Sequence, residues 1–446
     1  MIDFGSTYTK VTAVEISDPR LLGCASAFST VDTDINEGLT KALAELEIKT
    51  GKIEYSRRMA CSSAAGGLKM IASGLVPELT AKAASLAAMG AGAKITGLYS
   101  YELTEDDIDE ITVKSPDIFL LTGGTDGGNK KCILHNAKLL AEIPGDYPII
   151  FAGNRNCGRE VMQILAHRRV YVCENVMPAI GVLNIDPARQ MIRDIFLERI
   201  IQAKGLSDDV IMPTPVAVLT AAELLAQLKG DLIMLDVGGA TTDVCSIGEG
   251  APRGSNTVYR GLPEPFAKRT VEGDIGMRYS VSGIVEAGGM QRIIELAGST
   301  GLQGESVQEY IQYITNHTDA LPVTTVQKNI DFALAAVAIE TATQRHAGTL
   351  EEVYTSSGRA YIQTGKDLTD VETIILTGGA LLNSDMQTEL AKHALFNEMK
   401  PQSLRPKKAE IFTDSHYIIA AMGLLSTCAP GAATEIMISN IKNIDQ

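Results

Sequence analysis

Asp236-Val237-Gly238-Gly239-Ala240-Thr241-Thr242-Asp243, entered from the apolar run Leu232-Ile233-Met234-Leu235, decides the fold of this chain. A short apolar run ending in an acid and two glycines reads as a buried strand that turns tightly enough for backbone amides to face a ligand. Polyphosphate suits such a turn. The glycines admit oxygens to the main chain, free N–H groups supply a positive dipole, and Asp236 and Asp243 offer hard oxygens to the water shell of Mg²⁺. A lone Gly-Gly is more often a plain turn closing a strand, but this one has companions.

The opening of the chain, Ile2-Asp3-Phe4-Gly5-Ser6-Thr7-Tyr8-Thr9-Lys10, has the same layout and runs on into the alternating Val11 and Ala13. It reads as two strands joined at a Gly-Ser-Thr hairpin. Gly5, the hydroxyls of Ser6 and Thr7 and the Lys10 ammonium can converge on a phosphate while Asp3 faces a metal. Two residues precede Asp3, where an ordinary strand has about five or six, so this strand reads as clipped or as preceded by further chain. Farther on, Ile374-Ile375-Leu376-Thr377-Gly378-Gly379-Ala380 ends another buried run in glycines, and Leu121-Thr122-Gly123-Gly124 shares its Leu-Thr-Gly-Gly. Residues 176–183 and 418–425 share Ala-x-Gly-x-Leu.

Three motifs in the same order twice indicate an internal duplication. The expected organisation is a first α/β domain at residues 1–185, a second at 186–425 with an insertion at about 252–349, and a C-terminal segment at 426–446. The turns of the two domains then line a shared cleft. Helical periodicity is expected over 38–50, 81–93 and 327–348.

Composition sets the outer bounds. With 446 residues, 45% of them hydrophobic and 21% charged, the chain can bury a large core. Its formal charge of -15 repels nucleic acid and anionic membrane surfaces, so neither is expected as a partner. Seven cysteines are scattered singly without a CxxC pair and read as reduced thiols. No basic-then-apolar leader opens the chain and no apolar run approaches about 18 residues; a cytoplasmic location is expected. His167, His346 and His416 lack metal-ligand spacing and read as polar surface or helix-end groups.

Together, Asp3 to Thr9, Asp236 to Asp243 and Leu376 to Ala380 resemble the phosphate-1, phosphate-2 and adenosine motifs of the actin, heat-shock chaperone and sugar kinase ATPase superfamily. Its two connecting helices are expected at 174–183 and 414–425. Residues 61–68, 121–129 and 271–277 more closely resemble the MutL/GlmL family, whose members are associated with adenosylcobalamin-dependent glutamate mutase and related aminomutases. The likeness covers nearly the whole chain. It implies an α/β fold of two related actin-like (ribonuclease H-like) domains with a nucleotide cleft between them, ATP and Mg as cofactors, and mutase subunits as partners.

By position, the resemblance implies that Asp3 and Asp236 hold the waters of Mg²⁺ and Asp243 completes the shell. Ser6, Thr7, Gly238, Gly239 and the Thr241 hydroxyl contact phosphates, and Ala240 replaces a third glycine while keeping an amide contact. Gly378, Gly379 and Ala380 form the adenosine turn, and Leu382 stands where the chaperones place an arginine. Thr241 and the acids are left to position water for slow hydrolysis. Three functions fit: a nucleotide-switched factor for a cobalamin mutase, a small-molecule kinase, and an activator of a radical enzyme. A kinase needs a general base that the sequence does not declare, and an iron-sulfur activator needs paired cysteines. The small residues of 61–68 and 122–129 read as one docking face for the mutase.

Overall fold

The computed structural model describes residues 1–5, 8–29, 35–63, 68–204, 209–298, 304–356 and 358–445. Leu232, Ile233, Met234 and Leu235 are buried on both faces of the strand Leu232–Val237, as a continuous apolar run predicts for the middle of a sheet. That strand pairs antiparallel with Thr242–Ile247 and parallel with Thr373–Thr377. Ala267–Glu272 extends one side; Glu410–Thr413 and Lys442–Asn443 extend the other.

The strand Ile2–Phe4 occupies the same place in a second sheet. It pairs antiparallel with Tyr8–Glu15, which pairs with Arg20–Phe28, and parallel with Ala60–Ser62, which pairs with Val210–Pro213. Numbered along the chain, both sheets run 3-2-1-4-5 with the same strand directions, and the larger adds one edge strand. Even the hairpin registers coincide: Asp3 lies opposite Lys10, and Asp236 lies opposite Asp243. The expected duplication into two related α/β halves is therefore a property of the fold.

From the fifth strand of each sheet the chain enters a helix, Thr214–Lys229 in one half and Ile419–Ser426 in the other, and these two helices pack together. Gly423 makes the packing possible, since a Cβ there would lie 1.8 Å from the Ala217 carbonyl oxygen. Residues 174–183, expected as the first connecting helix, instead form turns with an Ala179–Val182 bridge. Pro178 and a positive φ at Gly181 prevent a helix there. The first connecting helix starts at Thr214-Pro215, with proline near its N-terminus where its missing N–H costs nothing.

The repeat of Leu-Thr-Gly-Gly is a coincidence of turns. Ile118–Leu121 belongs to a separate sheet, ordered Lys94–Ser100, Lys69–Gly74, Ile118–Leu121, Ile149–Phe151, Val170–Val172 and parallel throughout. The counterpart of Thr373–Thr377 is Ala60–Ser62. This parallel sheet is inserted between the fourth and fifth strands of the first sheet, whose residues therefore extend past 185 to Pro213. In the second half, Ala267–Glu272 is a central-sheet strand inside the range expected as insertion, while Thr257–Arg260, Gly358–Thr364 and Thr349–Thr355 form a small sheet of their own. Helices Ile35–Thr50, Lys82–Gly90 and Thr325–His346 answer the helical expectations, the last with a Thr324/Gln327 capping box.

The docking face does not form as expected. Cys61 is fully buried with its thiol on Asp3, whereas Thr122 lies where the inserted sheet's strands end, bonded to the carbonyl of Ser73. Leu68 precedes the start of Lys69–Gly74, so the two segments lie at opposite ends of that sheet's parallel strands; residues 64–67 are outside the described residues. No helix among the described residues is long and apolar enough to cross a membrane.

Candidate functional site

Because the two hairpins occupy equivalent places in sheets joined by packed helices, their turns face one cleft of about 1190 Å³. Asp3, Gly5, Lys10, Asp236, Gly238, Gly239, Ala240, Thr241, Asp243, Gly379 and Ala380 all line it. Ser6 and Thr7 lie outside the described residues. Gly378 sits behind the site with φ +93°, and a Cβ there would lie 2.5 Å from Asp236 Oδ1. That position accepts only glycine.

The loop after Asp236 is held by its carbonyls. Met277 N–H donates to the Gly238 carbonyl at 3.0 Å, Arg278 and Tyr279 N–H donate to that of Gly239 at 2.8 and 2.9 Å, and Ser280 Oγ donates to that of Ala240 at 2.9 Å. In a trans peptide the N–H of the next residue points opposite to the carbonyl. The amides of Gly239, Ala240 and Thr241 are thus turned away from 277–280 and bond to no described residue. Three convergent amides lining a cleft make an anion-binding nest. Gly276 permits the approach, since a Cβ there would lie 2.4 Å from the Ala240 carbonyl carbon; the motif at 271–277 exists to brace this loop.

The acids are arranged with unequal partners. Asp3 accepts from Thr214 Oγ1 at 2.6 Å and lies 3.8 Å from Lys10 Nζ. The Lys10 ammonium stands 3.3 Å from the centroid of the Tyr417 ring, whose backbone has φ +56°. Asp243 pairs with Arg269 and accepts from Thr241 Oγ1 at 3.2 Å. Burial, then the Asp243 charge, raises Asp236 to about 6 against an opposing pull from Lys10. Burial likewise raises Asp414 to about 7, although it accepts N–H bonds from Ile418 and Ile419 and caps the second connecting helix.

Among the described residues no three His, Cys, Asp or Glu side chains converge closely enough to hold a metal directly. The carboxylates fit a hydrated ion, which is how Mg²⁺ is usually kept. Arg269 competes for Asp243, so the strongest remaining pair is Asp3 with Asp236. Leu382 lines the cleft with Asn329 and Phe332, an apolar and amide wall beside the Gly379 turn. His416 is exposed at the cleft, while His346 ends its helix fully buried between Ser246 Oγ and Thr270 Oγ1, contrary to a surface reading.

Sequence reasoning did not find Thr214, Arg269 or Tyr417. Thr214 carries a signal in Pro213-Thr214-Pro215, a helix start after an apolar strand; the other two carry none.

Residues 1–441 match the family described as MutL protein. Protein MutL of Clostridium tetanomorphum is 45% identical over 453 residues, covering 98% of this chain and 97% of the relative. The chain belongs to the MutL family. Among solved structures, this chain is similar to an activator of 2-hydroxyisocaproyl-CoA dehydratase from Clostridium difficile with bound ADPNP (9% identity, 99% of this chain and 97% of that one, TM-score 0.32). It is also similar to xylulose kinase from Lactobacillus acidophilus (12% identity, 99% and 91%, TM-score 0.34) and to nucleotide-free acetone carboxylase (14% identity, 95% and 69%, TM-score 0.40). MutL membership rests on the sequence matches alone.

Proposed function

We propose that this MutL-family protein binds Mg·ATP in the cleft, hydrolyses it slowly, and serves as a nucleotide-switched accessory factor for an adenosylcobalamin-dependent mutase. The observation that carries the nucleotide reading is the outward set of Gly239, Ala240 and Thr241 amides, placed beside two acids on an otherwise acidic protein. Asp3 and Asp236 hold the waters of the Mg²⁺, which supplies charge neutralisation to the phosphates. Thr241 Oγ1, already on Asp243, orients an attacking water. Gly379 and Ala380 take the adenosine, with Gly378 behind them permitting the turn.

The mutase reading rests on family kinship and on one link in the structure. Arg269 joins Asp243 in the cleft to the carbonyl of Met89, at the end of the inserted sheet's first helix, at 3.4 Å. A change in the charge bound beside Asp243 would therefore reach the inserted unit through Arg269. Differential affinity for two cleft states is what a nucleotide needs to alter a partner's binding.

Two measurements test this. Calorimetric titration should give one Mg-dependent ATP site, and hydrolysis should not be accelerated by sugars, short-chain acids or amino acids; stoichiometric phosphorylation of any of them replaces this reading with a kinase. In Thr214→Val, Asp3 loses its 2.6 Å bond, and turnover should fall about tenfold with an unchanged circular dichroism spectrum. Wild-type turnover in that variant removes Asp3 from the site.

A further inference from the structure

A second cavity, of about 390 Å³, opens in the second half of the molecule and shares no residue with the cleft. Glu340 reaches it from the helix Thr325–His346; Lys392, His393, Asn397 and Arg405 come from the end of the helix Gln387–Lys392 and the segment after it.

Arg405 is fully buried. Its Nη1 donates to the His393 carbonyl at 3.2 Å, whereas Nε and Nη2 are buried without a hydrogen-bond partner among the described residues. Those two nitrogens form one edge of the guanidinium, the edge that grips two oxygens of a carboxylate or phosphate in parallel bonds. A buried charged donor left without an acceptor is costly, so the fork calls for an occupant. Glu340 does not fill that role. Its Oε2 is on Arg292 at 2.5 Å and its Oε1 faces Lys400 at 3.7 Å, while Lys392 is paired with Glu389 at 2.6 Å. Glu340 is thus shared with two other cations, and Glu398, the cavity's other carboxylate, is exposed, so Arg405 has no ion pair of its own among the described residues.

We propose that this cavity binds a small oxyanion, a carboxylate or phosphate group, on the Nε–Nη2 edge of Arg405. The site is one aromatic pair from the larger cleft: the His393 ring meets Phe332 edge-on with centroids 6.2 Å apart, and Phe332 lines the cleft.

Titration of the full chain with sodium acetate and, separately, with inorganic phosphate, against sodium chloride at matched ionic strength, tests the site by calorimetry. Wild type should bind one equivalent of at least one oxyanion in a way that Arg405→Lys, which keeps the charge and loses the fork, weakens at least about tenfold. Phosphate held in the larger cleft is insensitive to that substitution, so only the sensitive fraction counts. Binding of acetate alone assigns a carboxylate ligand, and of phosphate alone a phosphoryl ligand. Neither anion binding above the chloride control, or equal binding by Arg405→Lys, overturns the proposal. Should that variant fail to fold, Glu340→Gln decides instead: loss of one of the cavity's two carboxylates should tighten binding severalfold, and unchanged binding overturns the site.

Discussion

Asp236→Asn is expected to melt higher than the wild type at about pH 8 and to hydrolyse ATP at least about a hundredfold more slowly. Burial and the facing Asp243 raise the Asp236 carboxyl to about 6 from an ordinary value of 3.8. Because the folded value lies above the ordinary one, the stability this group contributes is complete below 3.8 and is lost as pH rises through about 6. Above that range the ionised carboxylate is a destabilising charge held for a ligand. A neutral amide removes about 1–3 kcal/mol of penalty, or several degrees in melting temperature. At about pH 5 half of the difference should remain, and below 3.8, where the group is protonated in both the folded and the unfolded chain, it should nearly vanish. Scanning calorimetry at both pH values, with a phosphate-release assay, checks the pair of effects. Equal melting and equal hydrolysis would take Asp236 out of the site.

Gly423→Ala should be the most damaging small substitution for stability. Its Cβ would lie 1.8 Å from the Ala217 carbonyl oxygen and 2.5 Å from that carbonyl carbon, and both are backbone atoms that a rotamer change cannot relieve. Overpacking of this kind costs about 1–3 kcal/mol or more. The clash falls between the helices Thr214–Lys229 and Ile419–Ser426, each of which follows the fifth strand of its sheet, so relief comes from separating the halves. Nucleotide affinity should fall with it. Gly431→Ala in the helix Pro430–Asn440 is the control, since nothing lies within 4 Å of its Cβ position; it should be neutral or mildly stabilising. Equal urea midpoints for the two variants would mean that the helix contact is not tight.

What the sequence made legible was local. An acid, a glycine turn and a returning strand lie within eight residues at Asp3–Lys10 and again at Asp236–Asp243, so composition alone carries their geometry. The string Leu121-Thr122-Gly123-Gly124 reports only that a strand runs into a turn. Which sheet it joins is decided by pairing of Ile118–Leu121 with Lys69–Gly74 and Ile149–Phe151, which no short string encodes. The same limit hid Thr214, which reaches Asp3 across 211 residues of chain. It hid Arg269 too, whose partners, Asp243 and Met89, lie in different units of the fold. Tyr417 needed both the turn after Asp414 and the Lys10 hairpin before its place under the ammonium could be known.

The most direct test of the cleft is a crystal structure grown with Mg²⁺ and a non-hydrolysable ATP analogue. The phosphate chain should lie within hydrogen-bond reach of the Gly239, Ala240 and Thr241 amides, with the metal's waters on Asp3 and Asp236 and the adenosine against Gly379. An analogue bound elsewhere, or one whose phosphates leave those three amides untouched, would contradict it.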